Sequence, residues 1–152
     1  MIANGLGRGE VADLRRMAAD DATPAAFWKL FVSIIEPAGW ASATGPRAAK
    51  REAEWATILN ALAIAEGFHS PQRRLGQALA EEGFSEIRFA RLLTAQGQRL
   101  ADEVRLMARF LASKGASADL TDAAWLVLSD ESEGGENLRR RIARDYYAHS
   151  AD

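Results

Sequence analysis

The 152-residue chain contains no cysteine and only two histidines, and none of its apolar runs is long enough to cross a membrane. Without thiols the chain can form neither disulfides nor thiolate metal sites, and it has no cysteine nucleophile. A membrane helix needs about 18 consecutive apolar residues, and the opening MIANGLGRGE lacks the basic start and apolar core of a signal peptide. We therefore expect a soluble, cytoplasmic protein that makes no contact with a membrane.

Groups that carry catalysis are equally sparse. His69 and His149 lie far apart, each at a predicted helix end, where an exposed imidazole without a catalytic role is the usual case. The glycines of GLGRGE follow no strand and form no phosphate-binding loop. The acidic residues from Asp130 to Glu136 lack the spacing of a calcium-binding loop. The sequence therefore predicts no enzyme, no metal, no cofactor and no small-molecule substrate.

Apolar residues recur at helical spacing and almost never alternate, which predicts an all-α fold. The dipeptides TP at 23–24 and SP at 70–71 each place a capping residue before a proline, which is typical of a helix start, and Ser85 is a further cap. With 48% apolar residues and no internal repeat, residues 1–152 are expected to form one compact domain, a bundle of about seven or eight helices. The predicted helices cover residues 10–20, 25–35, 47–67, 72–83, 85–93, 98–113, 120–128 and 136–147, with a solvated acidic loop at 129–136.

The charges nearly balance, with 19 basic and 21 acidic residues and a formal net charge of −2. This balance by itself argues against strong binding of free nucleic acid. All but three of the basic residues are arginines, whose planar guanidinium groups suit phosphate groups. A GC-rich genome would give the same composition, so the positions of the arginines carry more information than their number.

An arginine with an acidic residue three or four positions away on the same helix can form a surface ion pair, which accounts for its presence there. Several arginines have such a partner and need no functional explanation, since each pair is worth only a few tenths of a kcal/mol. The predicted pairs are Arg16 with Asp13 and Asp20, Lys50 and Arg51 with Glu54, Arg105 with Asp102, Arg140 with Glu136 and Arg141 with Asp145.

Other arginines lack a partner on their own helix. They are Arg15, Arg47, Arg88, Arg91, Arg109 and Arg144. Arg88 and Arg91 lie about 60° apart around their helix and form a small positive face. On the next helix Arg105 and Arg109 are one turn apart and are expected opposite the apolar residues. If these two helices pack side by side, their arginines would line one groove. That groove could bind a polyanion or an acidic protein, or it could simply be a solvated surface.

Short motifs follow one another along nearly the whole chain. They are DLRRM, PAAFWKLF, PAGW, LGQALAE, SEIRFARLL, EVRLMARFL and LRRRIARDYY. Each alone is a common helical pattern, but the ordered set, in an all-α chain of this length, resembles the CasB-type small subunit of the type I-E CRISPR Cascade effector complex.

The resemblance implies a non-catalytic subunit, present in two copies, that contacts the other Cascade subunits, a second copy of itself, the crRNA and the target DNA. Family contacts carried over to matching positions fall on Arg15, Arg16, Arg47, Arg88, Arg105 and Arg109. Arg51, Arg91 and Arg144 complete the predicted nucleic-acid-binding set. Because guide pairing recognises the sequence in such complexes, the arginines are expected to contact phosphates rather than base edges.

The four tryptophans, Trp28, Trp40, Trp55 and Trp125, lie on apolar stripes or beside turns. We interpret them as core or subunit contacts rather than as platforms on which bases stack. The alternative function is a helical protein-interaction module or regulatory adaptor, whose arginines would bind an acidic protein partner.

Overall fold

The computed structural model describes residues 6–17, 23–41, 44–130 and 132–150. Within these ranges the chain is helical, with no strand beyond an isolated bridge between His69 and Ala118, so the all-α prediction is confirmed. The helices are α1 Arg8–Arg16, α2 Ala25–Leu30, α3 Pro46–Ile64, α4 Leu75–Glu81, α5 Glu86–Thr94, α6 Gly97–Lys114, α7 Leu120–Leu128 and α8 Glu133–His149. A π-helical turn, Phe31–Ile35, directly extends α2.

The helices pack around one connected set of buried apolar side chains. α3 lies against α1, α6 and α7, while α8 lies against α4 and α7, and α5 packs on α6. Leu14, Phe27, Leu75, Phe89 and Met107 are completely buried in this core. None of the helices in the described part of the chain is long and apolar enough to cross a membrane.

Most predicted helix bounds agree with the structure to within a few residues. α7 has the predicted bounds, and α6 ends before Gly115, whose left-handed backbone (φ 62°) closes the helix as expected. Ser85 caps α5, because its hydroxyl oxygen accepts a hydrogen bond from the backbone N–H of Arg88. The predicted end of the first helix at Asp20 lies outside the described residues.

The predicted helix start at Ser70 is wrong, since α4 begins only at Leu75. The intervening backbone pairs with the segment before α7 instead. The N–H of Ser70 donates to the carbonyl of Ala118 at 2.9 Å, and the N–H of Asp119 donates to the carbonyl of Arg73 at 2.7 Å. These tertiary hydrogen bonds satisfy groups that a helix would otherwise use.

The acidic loop predicted at 129–136 is also partly helical, because α8 begins at Glu133. The hydroxyl oxygen of Ser132 accepts a hydrogen bond from the N–H of Gly135 at 3.0 Å and so caps the helix. Two acidic residues, Glu133 and Glu136, lie in this first turn, where they interact favourably with the positive end of the helix dipole.

α4 and α8 cross at Gly76, which has room only for a hydrogen atom. A Cβ atom at this position would overlap the carbonyl oxygen of Ile142, and would lie 2.9 Å from the nitrogen of Tyr146 and 3.0 Å from the Cβ of Asp145. Two of these neighbours are backbone atoms that cannot move alone. The glycine therefore sets how closely α8 approaches α4.

This approach brings Tyr146 of α8 against the segment that begins α5. Its ring stacks on Phe89 with 3.8 Å between centroids, and its hydroxyl donates a hydrogen bond to the carbonyl of Phe84 at 2.5 Å. Burial raises the pKa of Tyr146, which keeps the phenol protonated as a donor. α8 thus fixes the start of α5, the helix that carries Arg88 and Arg91.

Replacing Gly76 with alanine should destabilise the protein by about 2–3 kcal/mol, because the added methyl group forces α4 and α8 apart. The matched control is Gly9→Ala on α1, where a Cβ would meet nothing within 4 Å. That change should raise stability by about 0.5–1 kcal/mol through helix propensity. Urea unfolding measures both, and a Gly76→Ala variant as stable as the wild type would contradict the close crossing.

Candidate nucleic-acid interface

Several of the predicted contact residues are exposed arginines whose charge is not used inside the fold. Within the described residues they have neither an ion-pair partner nor a hydrogen-bond partner. They are Arg47 on α3, Arg91 on α5, Arg109 on α6 and Arg144 on α8. An exposed guanidinium group without a carboxylate beside it leaves a positive potential at the surface.

Arg88 is exposed and lies over aromatic rings rather than beside an acid. Its guanidinium carbon is 4.8 Å from the centroid of Phe84 and 5.4 Å from that of Phe110 on α6. The ammonium group of Lys114 lies 5.7 Å from the same Phe110 centroid. Arg88 of α5 and Lys114 of α6 therefore lie on the same ring, that of Phe110, but Lys114 was not among the residues predicted to share a groove.

Arg105 departs from its predicted position, because it is buried with 7% of its surface exposed. Its Nε donates to the side-chain oxygen of Asn60 on α3 at 3.0 Å. Asn60 is itself fully buried and donates to the carbonyls of Leu14 and Arg15 on α1. The expected exposed column of Arg105 and Arg109 is therefore wrong for Arg105, which links α6 to α3. Its ion pair with Asp102 is present at 3.6 Å.

Arg15 also differs from expectation, since it does have an acidic partner. Its Nη2 lies 2.7 Å from a carboxylate oxygen of Glu66, and its Nε donates to the carbonyl of Ala63 at 2.8 Å. The partner is 51 positions away in the sequence, so a test limited to one helix could not detect it. The predicted pairs of Arg16 with Asp13 and of Arg51 with Glu54 are confirmed, both at 2.9 Å.

The pair of Arg141 with Asp145 predicted on α8 is wrong, because each of these residues binds a tertiary neighbour instead. Arg141 pairs with Asp122 of α7 at 2.5 Å, and Asp145 pairs with Arg74 at 3.3 Å. Asp122 is 5% exposed, and its burial raises its pKa while Arg141 opposes that shift. Arg141 is thus occupied in compensating a buried carboxylate.

Glu136 lies 4.0 Å from Arg139 rather than beside Arg140. Arg140 therefore has no partner left in the described part of the chain, and it is exposed. It lies one turn before Arg144. The sequence test missed Arg140 because an acid four positions away appeared sufficient. No signal in the sequence shows which of the neighbouring arginines forms the ion pair with Glu136.

The remaining candidate groups serve the fold. Nδ1 of His69 accepts the backbone N–H of Leu120 at the start of α7, at 3.2 Å. Asp130 binds Arg139 and accepts the N–H of Gly97, both at 2.9 Å, and so joins α8 to the start of α6. Among the described residues no three histidine or acidic side chains come together as a metal-binding group.

The tryptophans divide into one core residue and three surface residues. Trp55 is 6% exposed, as predicted for the core. Trp28, Trp40 and Trp125 are 41%, 56% and 54% exposed, so the core interpretation is wrong for them. The sequence could not reveal this exposure, because the periodicity of apolar residues does not show which helix face another element covers. Contact with another subunit or a nucleobase stays open for each.

Residues 10–147 match the sequence model of the family described as CRISPR-associated protein Cse2. The chain belongs to the Cse2 family. This makes it a CRISPR Cascade subunit, and the resemblance found in the sequence is confirmed. The crystal structure of CasB from Thermobifida fusca is similar in fold, with a TM-score of 0.70 and 20% sequence identity, and the match covers 93% of this chain and 84% of that one. No functionally curated protein matches the sequence.

The free energy of unfolding can show which arginine of α6 is buried in the fold and which is exposed. Arg105→Ala should destabilise the Cse2-family chain by about 2–4 kcal/mol, because it leaves the buried amide oxygen of Asn60 without its donor. Arg109→Ala, one turn further on, should change stability by no more than about 0.5 kcal/mol. Equal losses in urea unfolding would contradict the assignment of Arg105 to the fold.

Proposed function

We propose that this Cascade subunit is non-catalytic and that its arginine surface binds the crRNA and target DNA strands without reading their sequence, in the cytoplasm. The observation that carries the proposal is that four of the predicted contact arginines, Arg47, Arg91, Arg109 and Arg144, are exposed and have no partner within the described residues. Their charge contributes nothing visible to the fold. It is therefore available for the phosphate groups of a strand.

The surface consists of cations on four helices. On α8, Arg140 and Arg144 are one turn, about 6 Å, apart. On α5 and α6, Arg88 and Lys114 share the ring of Phe110. The other members, on α3, α5 and α6, are Arg47, Arg91 and Arg109. Contacts of this kind hold a strand in place but carry no sequence information.

The net charge of −2 is compatible with this function, because at least eleven of the 21 acidic residues already form ion pairs within the described chain. A chain of this charge should bind free nucleic acid weakly. Inside the assembled complex the neighbouring subunits hold the strand close, which gives each arginine a high effective concentration of phosphate.

Exposed apolar side chains support contacts with other Cascade subunits or with a second copy of the chain. Val32 and Ile34 on the π-helical turn are more than half exposed, and Ile87 at the start of α5 is 70% exposed. Exposed apolar residues that adjoin one another commonly mark protein contacts, and Val32 lies four positions, one turn, after the exposed Trp28. We include these partners in the proposal.

The proposal predicts different effects for two matched arginines of α6. Arg99 and Arg109 are both exposed, and neither has a partner in the described chain. Arg99 lies ten residues, about 15 Å, before Arg109 along α6 and is not one of the proposed contacts. Arg109→Glu should weaken target DNA binding by the assembled complex about tenfold and reduce its salt dependence, since a phosphate contact is lost.

Arg99→Glu changes the net charge equally and should alter the affinity less than about twofold, within the range of a surface effect. Filter binding at several salt concentrations measures both variants. An equal loss in both would show that net charge matters rather than this surface, and no loss with Arg109→Glu would contradict the proposed contact.

A further inference from the structure

Trp40 has an exposed indole ring that stacks on a second indole ring. Its ring is parallel to that of Trp55 within 5°, with 5.7 Å between centroids. Trp55 is buried on α3, and its indole N–H donates to the backbone carbonyl of Trp40 at 3.2 Å. The backbone N–H of Trp40 donates to the carbonyl of Ile35, and Gly39 before it has a positive φ of 79°. The backbone of Trp40 is thus held by two hydrogen bonds, and its ring stacks on a buried indole.

Trp40 is 56% exposed even though its ring is stacked on that of Trp55. The rings of the other two exposed tryptophans are not stacked in parallel on another ring that the structure describes. Trp28 makes edge contacts with Phe27 and Phe31, and Trp125 contacts no other ring in the described chain. Trp40 is the exposed indole that is already part of a face-to-face stack.

Two arginines continue from this stack along α3. Arg47, Arg51 and Trp55 are spaced four residues apart, which places them on one face of the helix at intervals of about 6 Å. Arg47 is exposed and without a partner in the described ranges. Arg51 pairs with Glu54 at 2.9 Å and donates to the carbonyl of Leu128 at 3.4 Å, and a third of its side chain stays exposed to a strand that Arg47 holds.

We propose that Trp40 is a stacking platform for an unpaired base of a single-stranded nucleic acid, whose phosphates run along Arg51 and Arg47. The base would continue the stack of Trp55 and Trp40. This inference rests on the proposed function and adds a base contact to it. Aromatic stacking accepts every base and thus suits a subunit that does not read sequence.

An acidic protein segment could satisfy Arg47, but it would also need an aromatic or proline side chain at the matching distance to pack on the exposed indole. A base joined to phosphates supplies both. The structure therefore favours a nucleic acid strand over a protein partner at this site.

The test measures binding of a fluorescent oligothymidylate to the full chain at low ionic strength, by anisotropy. Trp40→Ala should lower the affinity about tenfold, and Trp40→Phe should restore part of it because a flat ring remains. Trp125→Ala, which removes an equally exposed tryptophan, should have no effect. An oligonucleotide with abasic sites should bind the wild type about tenfold more weakly and should bind Trp40→Ala with no additional loss.

The outcomes separate this inference from the proposed function. If Arg109→Glu weakens binding and Trp40→Ala does not, the platform is wrong while the phosphate-binding surface remains. If Trp40→Ala leaves oligonucleotide affinity unchanged but prevents incorporation into Cascade, Trp40 is a protein contact and the platform is overturned. Absence of any binding by the wild-type chain would overturn the platform as well.

Discussion

The close crossing of α8 over α4 at Gly76 is the constraint on which the other contacts of this Cse2-family chain depend. Because no Cβ separates the helices, Tyr146 reaches both the ring of Phe89 and the carbonyl of Phe84. These contacts fix the start of α5, so that Arg88 can lie over the rings of Phe84 and Phe110. A single backbone approach in the core thus helps to place Arg88 on the surface.

The arginines divide into those that stabilise the fold and those that remain available. Arg105, Arg139 and Arg141 bind buried partners, since burying an ionised or polar group is costly unless it is hydrogen-bonded. Arg91 and Arg109 bind nothing within the described residues. This division explains how a chain with a net charge of −2 can present a positive surface.

The fold could be predicted from the sequence because helical periodicity and caps are local signals, and Ser85 and Gly115 act as predicted. The site could be predicted only in part, because the partner of an arginine is often distant in the chain. Glu66 binds Arg15 across 51 positions, and Asn60 draws Arg105 into the core. The exposure of Trp40 likewise depends on which tertiary neighbour covers each face of the ring.

A structure of the assembled complex with crRNA and target DNA tests the phosphate-binding surface most directly. We expect the guanidinium groups of Arg91, Arg109 and Arg144 within hydrogen-bond distance, about 2.7–3.2 Å, of phosphate oxygens. The opposite result would be that these groups pair with carboxylates of neighbouring subunits or point into solvent while the strands run elsewhere.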